Sequence, residues 1–464
     1  MNLRDVLLSV ISDPERVSVS PSVREQHGRD LSYHRPTTPD VVVFAKTTEE
    51  VARVLQAAND LAIPVVPYAA ASSLEGHIIP VHGGISLDVN GMNQILEIRP
   101  DDFLVRIQPG VTREQLNAAL KPYGLFFPVD PGANASLGGM AATNASGTAA
   151  VRYGVMRQQV LGLEVVLADG RVVRTGGMAM KTSAGYNFTQ LFVGSEGTLG
   201  VITELTLRVY GIPEHTVAAR AVFSDLGSAC QAAYAIMGSG TPVGRMELVD
   251  EWTVAAVNQF KGTAYDEAPT LFLEFSGNRS AVEADVALAE EVCREEGCRA
   301  FVFETEGDAR ARLWEARHSA ALAIMQTAPG KRHKATDVCV PLSKMPEAIR
   351  FARETIDRYG IYGAILGHVG DGNYHVSFMV DPDDEKEVET AERVNDEIVD
   401  FALKVGGTCT GEHGVGLGKV KHLEREHGDL LPLMVSLKQL LDPKGILNPG
   451  KIFLSKPVPE SMAH

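Results

Sequence analysis

A chain of 464 residues with 45% hydrophobic, 22% charged and 6% aromatic side chains is too long for one ordinary core, so two domains are expected. Its formal net charge of −16 argues against a general nucleic-acid binder, which needs a basic footprint, yet leaves room for a local basic pocket. No stretch approaches the roughly 18 uncharged apolar residues of a membrane-spanning helix.

At the N-terminus, Leu3, Val6, Leu7, Val10 and Ile11 have helical spacing, and the segment lacks the basic start and cleavage site of a secretory leader. The expectation is an amphipathic helix in a cytoplasmic protein, at most peripheral at the inner face of the membrane. Residues 41–68 read as strand, threonine-capped helix and strand, followed by a buried strand at "GISLDV". Two alternating strands flank Pro100–Asp102, a short helix ends at Gly124, and Asp169–Gly170 closes a hairpin in "LEVVLADGRVVRT". After "GIPEH" the pattern changes to strands ("AARAVFSD", "TLFLEFSG", "CRAFVFE", "GAILGHV", "YHVSFMV") separated by long Ala/Glu-rich helices. That alternation gives an antiparallel sheet backed by helices, hence an α+β class. Cysteines stand at 230, 293, 298, 339 and 409 with no Cys-x-x-Cys, which fits reduced thiols and excludes a cysteine-based cluster.

Chemistry concentrates in a few stretches. In "GHVGDGNYH" (367–375), strand pairing across the Gly/Asp/Asn turn brings His368 and His375 close, since cross-strand Cβ atoms on one face are about 4.5–5.5 Å apart. With Glu412 of "GEHGVGLGK" as a third ligand, two imidazoles and a carboxylate suit a divalent metal (Mn, Zn or Fe). Two surface hairpin histidines are the alternative. His413 can serve as a general base or be a solvated loop histidine. The same glycines lack a full phosphate-loop pattern, and no dinucleotide fingerprint follows a strand. Three further runs rich in Gly, Ala, Ser, Thr and Asn (67–77, 130–154 and 191–203) suit a pyrophosphate and a flat ring, or simply make tight turns.

Taken in order, "VPYAAASSLEGH", "FFPVDPGANASLGGMAATNASGTAAVRYG", "LFVGSEGTLGVIT", "GHVGDGNYH", "GTCTGEHGVGLGK" and "LDPKGILNPGK" span nearly the whole chain. Together they closely resemble FAD-dependent D-2-hydroxyacid dehydrogenases of the vanillyl-alcohol-oxidase flavoprotein superfamily. Within it the chain is most similar to cytochrome-type D-lactate dehydrogenases, with the glycolate oxidase FAD subunit and D-2-hydroxyglutarate dehydrogenase as relatives.

The resemblance implies a bipartite FAD-binding domain of the PCMH type (1–212, joined by 439–464) and a substrate or cap domain with the metal site (213–438). It implies a pyrophosphate on Ala69, Ala70, Ala71, Ser72 and Ser73. Flavin and ribityl would meet Pro131, Gly132, Gly138, Gly139, Thr143, Ser146, Gly147 and Tyr153. Glu196, Gly197, Val201 and Ile202 would hold the adenine end, and Asn448 would approach the isoalloxazine. Relatives often have "GGGT" where this chain has "AAAS", and alanine does not take positive φ cheaply. The resemblance further implies His368, His375 and Glu412 as metal ligands, His413 as base, Asn373 nearby, and Arg317 on the substrate carboxylate. Arg332 or Lys334 is the candidate second cation. Ala321, where D-2-hydroxyglutarate enzymes tend to carry threonine, favours a small substrate such as D-lactate. Electrons would pass to a cytochrome, a quinone or an electron-transfer flavoprotein, and a homodimer is compatible with the pattern. A metallohydrolase without flavin is the rival from another class.

Overall fold

The computed structural model describes residues 3–453. Its described residues divide into two compact units, one built from residues 3–145, 155–211 and 412–453, the other from 146–154 and 212–411.

The first unit opens with α1 (Leu3–Val10) and then β1 (Val41–Phe44), α2 (Thr48–Asp60), β2 (Val65–Tyr68) and β3 (Ile85–Asp88). The strands form a parallel sheet ordered β1-β3-β2, with the short strand Val17–Ser18 antiparallel on β1. Helix α2 starts where the Thr47 hydroxyl oxygen accepts the Glu50 N–H, a standard N-cap. It buries Val51, Val54, Leu55 and Ala58, the one-sided spacing of a helix packed on a sheet. Each fully buried Val or Leu contributes roughly 1.5–3 kcal/mol before ordering entropy is subtracted.

A second, antiparallel sheet follows from β4 (Ile95–Arg99), β5 (Leu104–Ile107), β6 (Val160–Val166), β7 (Val172–Gly176) and β8 (Val201–Arg208), ordered β4-β5-β8-β6-β7. Its core includes Leu116, Phe127, Leu137, Met140, Phe192 and Leu205. The chain end returns to the first sheet: Val65 donates its N–H to Ile446 O (2.7 Å), and Asn448 N–H donates to Val65 O (2.8 Å).

The compact units part at 411/412, not at the expected 438/439. Residues 412–438 pack in the first unit because its groups hold them. Leu417 N–H donates to Glu75 O (2.7 Å), and Val415 and Gly416 donate to the Glu196 carboxylate. Of the C-terminal segment 439–464, residues 454–464 lie outside the described residues.

The second unit contains β9 (His215–Val222), α3 (Leu226–Gly238), β10 (Val243–Val249), α4 (Glu251–Lys261), β11 (Thr270–Gly277), α5 (Arg279–Glu295) and β12 (Ala300–Glu304). It continues with α6 (Gly307–His318), α7 (Ala320–Gln326), β13 (Arg332–Ala335), β14 (Val338–Cys339), α8 (Met345–Tyr359), β15 (Ala364–Gly367), β16 (Asn373–Val380) and α9 (Glu385–Lys404). The strands make one antiparallel sheet ordered β12-β9-β11-β10-β15-β16-β13, and β14 pairs with the start of β16.

Register decides what each face of this sheet carries, because side chains alternate with period two. Val249 lies opposite Leu366, Leu366 opposite His375, Ser377 opposite Ala364 and Ala335, and Phe272 opposite Glu247. One face therefore presents Arg245, Glu247, His368, His375, Ser377 and His333. The other presents Met246, Leu248, Ile365, Val376 and Phe378, all buried. Helices cover both faces. Trp314, Ala320 and Ile324 of α6 and α7, with Val254 and Val257 of α4, pack on Val249, Phe272 and Leu366. Helices α3, α5, α8 and α9 lie on the apolar side, where Tyr374 reaches Ala348 O.

The hairpin between β15 and β16 closes through Gly372, whose φ is +91° and whose added Cβ would lie 2.2 Å from Val340 O. Gly372→Ala is expected to cost at least about 1–2 kcal/mol from the left-handed backbone alone, with the collision adding to it. Urea unfolding measures this, and an unchanged midpoint would contradict the tight turn.

Candidate active site

The polar face of the second unit's sheet holds the two hairpin histidines. Asn373 N–H donates to His368 O (3.3 Å), and His375 pairs with Leu366. The histidines are thus diagonal neighbours, not direct opposites, with ring centroids 5.6 Å apart and planes at 86°. Both are buried. His368 Nδ1 lies 2.6 Å from Glu247 Oε1, and Arg317 Nη2 donates to Glu247 Oε2 at 2.5 Å. His375 Nδ1 lies 3.2 Å from Thr336 O and 3.6 Å from Asp337 Oδ1. Carboxylate and carbonyl oxygens only accept, so each Nδ1 carries the proton and each Nε2 is the basic nitrogen, the tautomer a metal-binding imidazole uses.

Asn373 is oriented by two bonds from Nδ2, to Asp337 Oδ1 (2.9 Å) and Val338 O (2.8 Å). Its Oδ1 is buried with no hydrogen-bond partner. Asp337 also accepts from Thr410 Oγ1 (2.8 Å), and Gly411 N–H donates to its carbonyl (3.3 Å). The chain continues from there directly into Glu412 and His413. Burial works against the charge of Glu247, but His368 and Arg317 outweigh it and hold its carboxyl below the usual range.

Sequence reading missed Glu247 and Asp337. The signal for Glu247 was present in "VGRMELV", where Arg245 and Glu247 alternate with Met246 and Leu248 on a strand. Alternation also removes both candidate second cations from this face. Arg332 and Lys334 point to the opposite, apolar side, where Lys334 Nζ lies 3.9 Å from Glu392 of α9. His333 takes the polar side instead, 3.1 Å from Ser377 Oγ, and burial, aided by His375, pushes its imidazole down to about 4.

In the first unit, backbone strain marks the loops. Ala71, Asn144, Glu196, Asn448 and Ile452 all have φ between +40° and +67°, a region that costs ordinary residues about 1–2 kcal/mol. Ala71 therefore adopts the left-handed conformation that glycine takes more cheaply. Its neighbours are held in place: Ala69 O accepts from Asn90 Nδ2 (3.0 Å), and Ser73 Oγ and Gly76 N–H both donate to Asp30 Oδ2 (3.0 and 2.9 Å). The Ser73 hydroxyl thus shapes the loop, while Ala70 and Ser72 lie within it. Gly138 is required by packing, since its Cβ would fall 2.4 Å from Pro109 Cβ. Gly139 O accepts from the Thr143 hydroxyl (3.2 Å); Pro131 is half-buried and Gly132 exposed. Ser146, Gly147 and Tyr153 lie in the stretch that packs in the second unit.

Glu196 is spent on the chain itself. Its carboxylate accepts from Val415 N–H (2.6 Å) and Gly416 N–H (2.9 Å) and faces His77 Nε2 at 3.3 Å. Gly197 packs on Pro67, and Val201 and Ile202 pair with Val166 and Val165 in the sheet. Asn448 Nδ2 donates to Glu196 O (2.7 Å) and His77 O (3.0 Å). Lys451 Nζ, buried beside them, is pushed down to about 8 by desolvation. His413 Nδ1 lies 4.0 Å from Glu75 Oε1, which in turn faces Lys419 Nζ at 3.4 Å.

The FAD-binding domain family matches residues 39–176, and the C-terminal domain of FAD-linked oxidases matches residues 212–452. The chain belongs to the FAD-linked oxidases. Among curated relatives of this oxidase, a Danio rerio protein named probable D-lactate dehydrogenase, mitochondrial, is 46% identical over 95% of this chain and 90% of its own length. A mitochondrial D-lactate dehydrogenase [cytochrome] of Arabidopsis thaliana is 44% identical over 92% of this chain and 76% of its own. Glycolate oxidase subunit GlcD of Bacillus subtilis is 34% identical over 96% and 95%. Among solved structures, p-cresol methylhydroxylase superposes with a TM-score of 0.81 at 18% identity, covering 97% of this chain and 96% of that one. That likeness establishes the fold alone: a PCMH-type FAD-binding architecture with an antiparallel second domain.

FAD is thus the oxidase's cofactor, and the first unit fits it. His77 Nδ1 and Ser136 Oγ are buried without hydrogen-bond partners on two of the strained, glycine-rich loops, the kind of orphaned atoms a bound cofactor satisfies. Among the described residues no helix is long and apolar enough to cross a membrane.

The His77–Glu196 pair has a pH signature. Burial opposes both charges, yet each partner outweighs it, so the His77 pKa is raised and that of Glu196 lowered. The Glu196 contribution is present above about pH 4.3 and lost as pH falls further; that of His77 is full below about pH 6.5 and lost as pH rises through its raised value. The stability difference between the unmodified protein and His77→Asn should therefore peak between about pH 5 and 6.5. Denaturant unfolding across pH measures it, and a flat difference contradicts the ion pair.

Proposed function

We propose that this protein oxidises a small D-2-hydroxyacid, D-lactate foremost, to the 2-oxoacid. The observation that carries the reading is near-full-length similarity to proteins named D-lactate dehydrogenase, joined to a sheet face on which Arg317, Glu247, His368 and His375 converge. Glycolate is the second reading, supported by the similarity to the Bacillus glycolate oxidase subunit.

Bound FAD would supply a hydride acceptor for the substrate Cα, and a divalent Mn, Zn or Fe ion held here would supply Lewis acidity at the substrate oxygens. His368 and His375 would hold that ion through Nε2, with Glu412 as third ligand. Their fixed tautomers and the unpartnered buried Oδ1 of Asn373 fit a cation and a hydroxyl donor. Arg317 holds the substrate carboxylate through its planar guanidinium. His413 accepts the hydroxyl proton, with Glu75 nearby to steady the imidazolium. Ala69, Ala70, Ala71, Ser72 and Ser73 would cradle the pyrophosphate, and Pro131, Gly132, Gly138, Gly139, Thr143, Ser146, Gly147, Tyr153 and Asn448 the flavin. Glu196, Gly197, Val201 and Ile202 would face the adenine end chiefly through main chain, as the Glu196 carboxylate is engaged elsewhere. The electron acceptor would be a cytochrome, a quinone or an electron-transfer flavoprotein; the cytochrome appears in a relative's name. The two most similar relatives described are named mitochondrial, so their names give no support to a cytoplasmic site.

Anaerobic addition of D-lactate to the purified yellow protein should bleach its visible flavin band, while L-lactate should not. Bleaching by glycolate alone would favour the second reading, and bleaching by neither would defeat both. His413→Ala should lower turnover by about 10²–10⁴-fold with the flavin absorbance retained; full activity in that variant removes its role as base.

A further inference from the structure

A single buried side chain links the two groups to which the reading above gives separate tasks. Glu247, on β10, is fully buried, with Oε1 on His368 Nδ1 at 2.6 Å and Oε2 on Arg317 Nη2 at 2.5 Å. Its two oxygens are thus divided between a ligand imidazole and the guanidinium assigned to the substrate carboxylate. Arg317 Nε is buried without a hydrogen-bond partner, so this carboxylate is the anchor that fixes the guanidinium's orientation. We propose that Glu247 is a positioning residue that sets the metal-binding tautomer of His368 and the orientation of Arg317 together. The proposal rests on the reading of His368 as a metal ligand and of Arg317 as the carboxylate site.

Only a carboxylate can do both tasks. It accepts at each oxygen, so His368 must donate from Nδ1 and keep Nε2 basic, while the arginine donates to the other oxygen. Glutamine has one accepting oxygen. If Arg317 takes it, as the stronger donor, the glutamine NH₂ turns toward His368 Nδ1. That arrangement moves the ring proton to Nε2, the wrong form for a metal.

The test uses the full-length FAD-loaded protein, stripped of divalent ions by chelator and titrated with Mn²⁺ and with Zn²⁺. Glu247→Gln should bind these ions about 10–100-fold more weakly at unchanged FAD content. Arg317→Met should raise the KM for D-lactate and leave metal affinity near that of the unmodified protein. In the double variant Glu247→Gln/Arg317→Met, the glutamine oxygen returns to His368 and metal affinity should recover; a merely structural role for Glu247 predicts further loss. Unaltered metal affinity in Glu247→Gln, or no recovery in the double variant, overturns the proposal alone. Absence of metal binding in the unmodified protein overturns it together with the underlying reading. Should Glu247→Gln fail to fold, nitrogen-15 imidazole shifts of the unmodified metal-free protein decide the matter. A proton on His368 Nδ1 is expected, and one on Nε2 overturns the proposal.

Discussion

Taking a carboxylate out of water costs several kcal/mol unless its oxygens are matched by donors and opposite charge. Two such carboxylates organise this chain. Glu247 is matched by His368 and Arg317, and Glu196 by His77 and the N–H groups of Val415 and Gly416. Neither could be moved or neutralised without leaving a partner stranded in the interior. Each therefore ties a specific piece of backbone to a specific side chain: β10 to the hairpin histidine in one unit, and the 194–197 loop to the 412–418 loop in the other. The polar chemistry is held by what burial demands of these two acids.

Much of the fold was legible because its elements obey strong local rules. The threonine-capped helix α2 between two apolar strands, the Gly170 hairpin and the long amphipathic α5, α8 and α9 carry their period in the sequence. What failed to show was the direction of side chains across a sheet. Two histidines seven positions apart could be expected to meet, but that they meet diagonally follows from the register set by Leu366 and His375. The same register sends Lys334 to the apolar side and His333 to the polar one. Glu247 lies far from His368 in sequence and enters only through the pairing of β10 with β15. Long-range pairing of this kind has no local signature.

The permissive loops of the first unit show a different gap. Composition marked them as permissive, and they are strained: non-glycine residues at 71, 144, 196, 448 and 452 occupy left-handed backbone. Alanine at 71 holds a left-handed backbone that glycine would adopt at lower cost. Among the loops' glycines, Gly138 is fixed by its packing against Pro109. Fold likeness at 18% identity to p-cresol methylhydroxylase says nothing about which chemistry such loops support; the side chains of the site itself decide that.

The return of the chain end to β2 bears on the order of folding. The second unit is almost continuous, from 212 to 411, and its strands pair without waiting for either terminus. The first unit instead needs Ile446 and Asn448 to reach Val65, some 380 residues away along the chain. Closing so distant a pairing is slow compared with local steps. On the ribosome, the second unit can assemble while the first still lacks its 446–448 segment, leaving the edge of β2 uncovered until those residues are made. A protein truncated shortly before residue 446 would therefore lose the wall of its cofactor domain, not a dispensable tail.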